Sequence, residues 1–274
     1  MNIVKSIEKI QKEIQRIKEC KKGYLTNLFL DINKLEFWIK LNKLKIFEFR
    51  ETTFLLKENI GFSNLFYIST CFESLEIDLN KLIGTMDSTI IVEVVGKEFS
   101  IIAPVLEKNG FTKYTSFVRM SRVVNEDKTE FEESDKLYYL EVNKSNYIQN
   151  LLYKYFDIYA EQIPSLQELV NLAKENKIIY YSNDSENIHG LLIFELTGLT
   201  GHLRYWWVHP EYRNKGIGSA LIKRFFIECQ NSKRQLFWVI ETNENAIKRY
   251  EHFKFKKEKL FYYIFINKKL KYEG

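Results

Sequence analysis

The feature that most restricts the fold of this chain is that its pattern of strands and helices occurs twice. With Phe111 set against Phe255, a strand expected at 89–95 falls on one at 235–239, and a helix expected over 97–109 falls on one at 243–253. The strands that close each half then coincide as well. Such self-similarity marks one supersecondary plan used twice. Its alternation of strands and helices predicts an α/β class, a mixed twisted sheet flanked by helices in tandem domains. At 274 residues the chain has room for this, since one core covers about 100–200 residues. Val124–Lys136, VNEDKTEFEESDK, is acidic and poor in apolar residues and reads as an exposed linker. The expected layout is therefore an N-terminal domain at 1–124, a linker at 125–136 and a C-terminal domain at 137–274.

Local patterns fill in this plan. Ile3, Ile7, Ile10, Ile14 and Ile17 lie on one helical face, about two heptads, which is too short for a coiled coil and predicts packing on the chain's own domain. Short apolar runs from Lys45 to Cys71 predict a strand meander, followed by a helix at 72–83, the strand at 89–95, the helix at 97–109 stopped by Gly110, and a strand at 114–122. The second half predicts a strand at 137–142, helices at 146–155 and 165–175, and strands at 178–181, 190–196 and 202–208. A helix at 216–231, a strand at 235–241, a helix at 244–252 and closing strands to about 267 complete it.

With 45% hydrophobic and 28% charged residues, the composition excludes collagen-like and disordered chains. Cys20, Cys71 and Cys229 are an odd number without metal-ligand spacing, so neither a disulfide framework nor a metal site is expected. The opening MNIVKSIEKIQKE lacks the apolar run of a signal peptide, and no stretch reaches the ~18 apolar residues of a membrane span. A cytoplasmic protein without a membrane partner is the expectation. The net charge of +5 is spread over the chain and reads as a solvated surface rather than a nucleic-acid interface.

The most informative segment is Val208–Ala220, VHPEYRNKGIGSA. A strand ends there, Pro210 stops its pairing, and Gly216 and Gly218 open a helix. Glycines let backbone N–H groups converge, and the first helical turn adds unpaired donors and the positive end of its dipole. A pyrophosphate fits such a place, with Arg213 and Lys215 adding charge. The spacing is neither the dinucleotide G-x-G-x-x-G nor a P-loop.

The whole pattern V-x-P-x-Y-R-x-K-G-I-G, followed after a helix and a strand by Asn243, Ala246, Ile247, Tyr250, Glu251 and Phe255, resembles the GNAT acetyltransferase superfamily over about 137–267. The resemblance implies acetyl-CoA as cosubstrate and an N-acetyltransferase acting on a small-molecule or peptide amine. It places the pyrophosphate on the backbone of Asn214, Lys215, Gly216, Ile217, Gly218 and Ser219, and the pantetheine arm at the strand end Trp206, Trp207 and Val208. It also makes Tyr250 the acid that meets the departing thiolate, and Asn243 either a pantetheine ligand or a helix cap.

An amine of pKa about 10.4 is neutral in only about one molecule in 2,500 at pH 7, a cost near ~4.6 kcal/mol that a base helps to meet. His202 stands ahead of the loop where related acetyltransferases place a basic Glu or His, with Glu195 and Glu241 in reserve, while His209 and His252 read as solvated. In Tyr153–Glu161, Tyr153, Phe156 and Tyr159 are candidates for the floor of the acceptor site, with Asp157 and Glu161 attracting a cationic amine. Two departures stand out. Lys254 replaces the glycine that the family resemblance expects before Phe255, and the first half has Phe99 and Leu106 where the second has Asn243 and Tyr250, with no G-x-G. The N-terminal half thus reads as a degenerate GNAT-like copy. A non-catalytic acyl-CoA-binding regulator and a Fem-like aminoacyl transferase are the alternative readings, and a monomer or homodimer is expected.

Overall fold

The computed structural model describes residues 2–29, 31–124, 134–184 and 187–268. The chain folds as two units, one made of Met1–Phe117 with the chain from Leu260 onward, the other of Val118–Lys259. Most of the expected linker, residues 125–133, lies outside the described residues. Both cuts between the units fall inside long strands, which differs from a division at 125–136. The reason is that pairing, not composition, decides which sheet a strand serves: Phe261–Asn267, expected with the C-terminal domain, pair antiparallel with Gly96–Ile90.

The first unit runs β1 (Asn2–Ile3), α1 (Ile7–Glu19), β2 (Leu25–Thr26), α2 (Ile32–Lys40), β3 (Leu44–Glu48), β4 (Thr52–Glu58), β5 (Phe62–Ser69), α3 (Phe72–Ile83), β6 (Thr89–Gly96), α4 (Ala103–Lys108) and the start of β7 (Thr112–Val123). Ile3 is drawn out of the expected helix because it pairs with Lys45 across β1 and β3. Ile10, Ile14 and Ile17 of α1 are buried against Leu35, Trp38, Leu44 and Ile68, so the isoleucine stripe packs on its own domain. The helix expected from residue 97 begins only at Ala103, since Pro104 has no N–H to give and fits only the first helical turn.

A further strand and helix, β2 and α2, escaped the sequence patterns, and β2 has a specific role. The parallel ladder of β5 and β6 ends at Leu65↔Val92, although both strands continue. Asn27, directly after β2, sits between them: its Nδ2 donates to the carbonyls of Leu65 (3.1 Å) and Glu93 (3.0 Å), and its Oδ1 accepts from Tyr67 N–H (2.7 Å). One buried amide thus satisfies three backbone groups of two diverging strands. Asn27→Ala leaves all three orphaned, so urea unfolding is expected to show a loss of about 3 kcal/mol.

The second unit holds the end of β7, then β8 (Leu137–Tyr139), α5 (Ser145–Tyr155), α6 (Leu166–Lys174), β9 (Ile178–Tyr181), β10 (Gly190–Thr197), β11 (Thr200–Val208), α7 (Ile217–Glu228), β12 (Arg234–Ile240), α8 (Glu244–His252) and the start of β13 (Lys256–Asn267). Its strand order is β7-β12-β11-β10-β9-β8. From two helices through three strands, a helix, a strand, a helix and a closing strand, this order repeats that of α1 to β7. Leu151, Leu152, Leu169, Ile178, Leu191, Ile193, Tyr205 and Trp207 form the core between the sheet and α5 and α6. On the opposite face α7 presses close to β10, where a Cβ on Gly190 would stand 2.7 Å from Ile217. Among the described residues, no helix is long and apolar enough to cross a membrane.

Candidate active site

The parallel ladder of β11 and β12 contains Thr200↔Arg234, Gly201↔Gln235 and His202↔Leu236 and stops there, although β11 runs to Val208 and β12 to Ile240. Just past that rung the register of β10 with β11 jumps from Phe194↔Leu203 to Ile193↔Tyr205, which makes Arg204 the extra residue of a β-bulge. Bulges bend a strand and end its pairing on one side. β11 therefore leaves β12 while remaining bound to β10.

The loop after β11 turns into α7 with Asn214 at φ +63° and Gly216 at φ +79°. Asparagine tolerates the left-handed region and glycine meets no Cβ penalty there, so these two positions suit their residues. Among the described residues, no acceptor takes the backbone N–H groups from Asn214 to Ser219. Arg213 to Gly216 are exposed. The loop is braced from behind: Tyr212 stacks on His189 with ring centroids 4.0 Å apart, and Lys215 Nζ lies 4.7 Å above the Tyr212 ring. Trp206 faces this helix start, and among the described residues its buried indole N–H has no acceptor. Six backbone donors, one indole donor and two cations thus gather at one helix N-terminus, a surface that calls for an anion and a carbonyl.

Tyr250, on α8, reaches from beside the loop to both diverging strands, its ring 5.3 Å from that of Trp206 and 4.3 Å from that of Phe237. Burial pushes its phenol up to about 12, so it holds its proton throughout the ordinary pH range. Asn243 takes the capping alternative: its side chain accepts from Ala246 N–H at 3.1 Å and starts α8. Lys254 adopts φ +65°, the left-handed geometry that a glycine would take without strain. Lys254→Gly is expected to raise stability by about 1 kcal/mol in chemical denaturation, because the left-handed region costs a side-chain-bearing residue about 1–2 kcal/mol and glycine's greater unfolded-state freedom returns part of it.

The acceptor-side residues come from the turn between α5 and α6. Phe156 meets Tyr205 edge-on at 5.0 Å, and Tyr155, which the sequence reading did not single out, packs on Trp207 at 4.8 Å. Tyr153 is 44% exposed on α5. Asp157 Oδ1 accepts from the N–H groups of Tyr159 (2.8 Å) and Ala160 (3.3 Å) and shapes the turn, which leaves Glu161 half-buried beside it. His202 lies on the last rung of the β11–β12 ladder with Glu195 opposite on β10. His209, expected to be solvated, is instead half-buried among the rings of Trp207, Tyr155 and Tyr212, because α5 and the loop close over the strand end. His252 is exposed. Sequence reasoning also missed Arg204, since nothing in a one-dimensional pattern marks a bulge.

Residues 146–255 match the sequence profile of the Acetyltransferase (GNAT) family. This stretch is a GNAT domain. Among solved structures, a GCN5-related N-acetyltransferase from Sphaerobacter thermophilus is similar with a TM-score of 0.56 at 11% identity, over 79% of this chain and 80% of that one. A GNAT-family acetyltransferase from Colwellia psychrerythraea gives 0.55 at 14% identity over 96% and 97%. A tandem GNAT protein from the clavulanic acid biosynthesis pathway gives 0.50 at 10% identity over 79% and 78%. At such identities these likenesses show the fold. Among curated protein sequences none matches this chain. The matched segment of the GNAT domain contains the bulge, the loop, α7 and α8.

Proposed function

We propose that the GNAT domain is an N-acetyltransferase that moves an acetyl group from acetyl-CoA to a primary amine by direct attack, with both substrates bound together. The observation that carries this reading is the run of N–H groups from Asn214 to Ser219 at the start of α7 that have no acceptor among the described residues, beside the place where β11 and β12 cease to pair. The loop amides, Arg213 and Lys215 would hold the pyrophosphate. The strand end Trp206–Val208 would pair with the pantetheine amides, and the indole N–H of Trp206 is a further donor on that wall. Acetyl-CoA, when bound, supplies an activated thioester. Tyr250 would donate its hydroxyl proton in a hydrogen bond to the leaving sulfur, and Asn243 would hold Tyr250 in place by capping α8. Phe156 and Tyr159 would flank the acceptor, which is a small molecule or a peptide end.

Calorimetric titration with CoA is expected to show one site per chain. In the first unit the corresponding opening between β5 and β6 is taken by Asn27, and no G-x-G precedes α3. A screen of primary amines with acetyl-CoA, followed by release of free thiol, should find an acceptor with intersecting initial-rate lines. Parallel lines would point to an acetylated enzyme and overturn direct attack. Binding of CoA without turnover on any amine would favour a regulator that only senses acyl-CoA.

A further inference from the structure

Resting on the acetyltransferase reading, we propose that Glu161, rather than a residue of the strands, takes the proton from the acceptor's ammonium group and selects a cationic primary amine. The α5–α6 turn is fixed to the bulge that opens the site. The Gln162 carbonyl accepts from Tyr205 Oη at 2.8 Å and from Arg204 Nη2 at 3.2 Å, so the residue next to Glu161 is fastened to the two residues of β11 at the register jump. Within the turn, Glu161 N–H donates to the Asp157 carbonyl at 2.8 Å, and Ile163 N–H donates to the Glu161 carbonyl at 2.8 Å. The backbone of Glu161 is thereby held on both sides.

Its carboxylate is the anomaly. Among the described residues, no hydrogen-bond donor and no ion pair reaches it, although it is half-buried. The charged and titratable groups that act on it are Asp157 from its own turn and Arg204 from β11. It is in turn felt by Tyr205 of β11 and Tyr250 of α8. Asp157 repels it, both tyrosines are protonated, and Arg204 is already engaged by Glu195 at 2.7 Å and by the Gln162 carbonyl. A poorly hydrated carboxylate without a donor is costly unless a cation from outside completes it. An ammonium group is that cation, and the turn that carries Glu161 is tied through the Gln162 carbonyl to Arg204 and Tyr205, at the point where β11 parts from β12. Desolvation and Asp157 raise the carboxyl to about 7, which suits a base that must both take and give up a proton near neutrality.

The protons balance as follows. The ammonium yields one proton to Glu161, and the neutral nitrogen attacks the thioester carbonyl carbon. The C–N bond forms, the C–S bond breaks, the second nitrogen proton passes to solvent, and the sulfur gains a proton through the Tyr250 hydroxyl, which solvent restores. Glu161 then returns its proton to water, so each turnover releases one proton and yields an amide and a free thiol.

The test uses the full chain and its Glu161→Gln variant, with an amine panel of putrescine, L-lysine methyl ester and 2-phenylethylamine. In the parent protein kcat/KM is expected to rise with pH through about 7. Glu161→Gln should lose that limb and about 10²–10³-fold in kcat/KM, with the Kd for CoA unchanged. A second reading needs no turnover. Because the folded carboxyl is raised above its unfolded value, Glu161 contributes stability below the unfolded value that is lost as pH rises through about 7. The fall in Tm between pH 5 and pH 8 should therefore be smaller in Glu161→Gln. An unchanged pH limb in Glu161→Gln, or its loss in His202→Gln instead, overturns the proposal. Failure of the parent protein to bind CoA removes the acetyltransferase reading and this proposal with it. CoA binding and turnover with an unaffected Glu161→Gln variant overturn this proposal alone.

Discussion

Gly216→Glu is expected to abolish measurable CoA binding, with a Kd at least about 10³-fold higher in calorimetric titration while the fold survives. Two physical terms add. Gly216 has φ +79°, so any side chain there is strained, at roughly 1–2 kcal/mol. The new carboxylate would also stand among the N–H groups of residues 214–219, where the phosphates are proposed to sit. Two like charges about 4 Å apart near a protein surface repel by about 4 kcal/mol, and a pyrophosphate carries more than one charge. The fold should tolerate the change because nothing lies within 4 Å of the position a Cβ would take. Gly216→Ala separates the terms: it carries only the strain and should cost about tenfold in affinity or less. Equal losses in the two variants would mean that backbone geometry, not anion binding, is what Gly216 provides.

Tyr250→Phe is expected to lower kcat about 10²-fold with the Kd for CoA essentially unchanged. The substitution removes one oxygen and keeps the ring, whose contacts with Trp206 and Phe237 hold α8 against the two strands. The value near 12 to which burial raises the phenol bears on its role. Full transfer to a thiolate with a pKa of about 8.5 would be uphill by about 4–5 kcal/mol, so Tyr250 works by hydrogen bonding to developing negative charge rather than by giving its proton away early. A consequence is that no alkaline limb from Tyr250 should appear in the pH–rate profile below about pH 10. Comparable losses of CoA affinity and turnover would assign Tyr250 to binding instead.

How much of this was readable in one dimension depends on whether the signal is local. The helix starting after Gly216, the strand before it and α8 at Glu244–His252 follow from glycine, proline and capping residues that act on their own neighbours. The isoleucine face of α1 and the repeat of the two halves follow from periodicity, which side-chain burial imposes within each element. By contrast, α4 is shorter than its apolar pattern suggested because Pro104 restricts where the helix can begin. The short strand β2 has no pattern at all; it exists because β5 has an open edge segment at Ile68–Ser69 for it to pair with.

The sequence by itself determined the repeated α/β plan and the place of the loop from Arg213 to Gly218, because backbone freedom and local charge are properties of the residues themselves. Only the tertiary structure decided in which half the parting strands are bridged. Asn27 closes the gap between β5 and β6 from 38 residues away in the chain, whereas the bulge at Arg204 parts β11 from β12 and binds the α5–α6 turn above the opening. It also decided that the Glu161 carboxylate meets no hydrogen-bond donor or ion-pair partner among the described residues, and that the end of β13 belongs with β6. Pairing register, burial and the balance of nearby charges depend on which distant segments meet, and no single stretch of sequence carries that information.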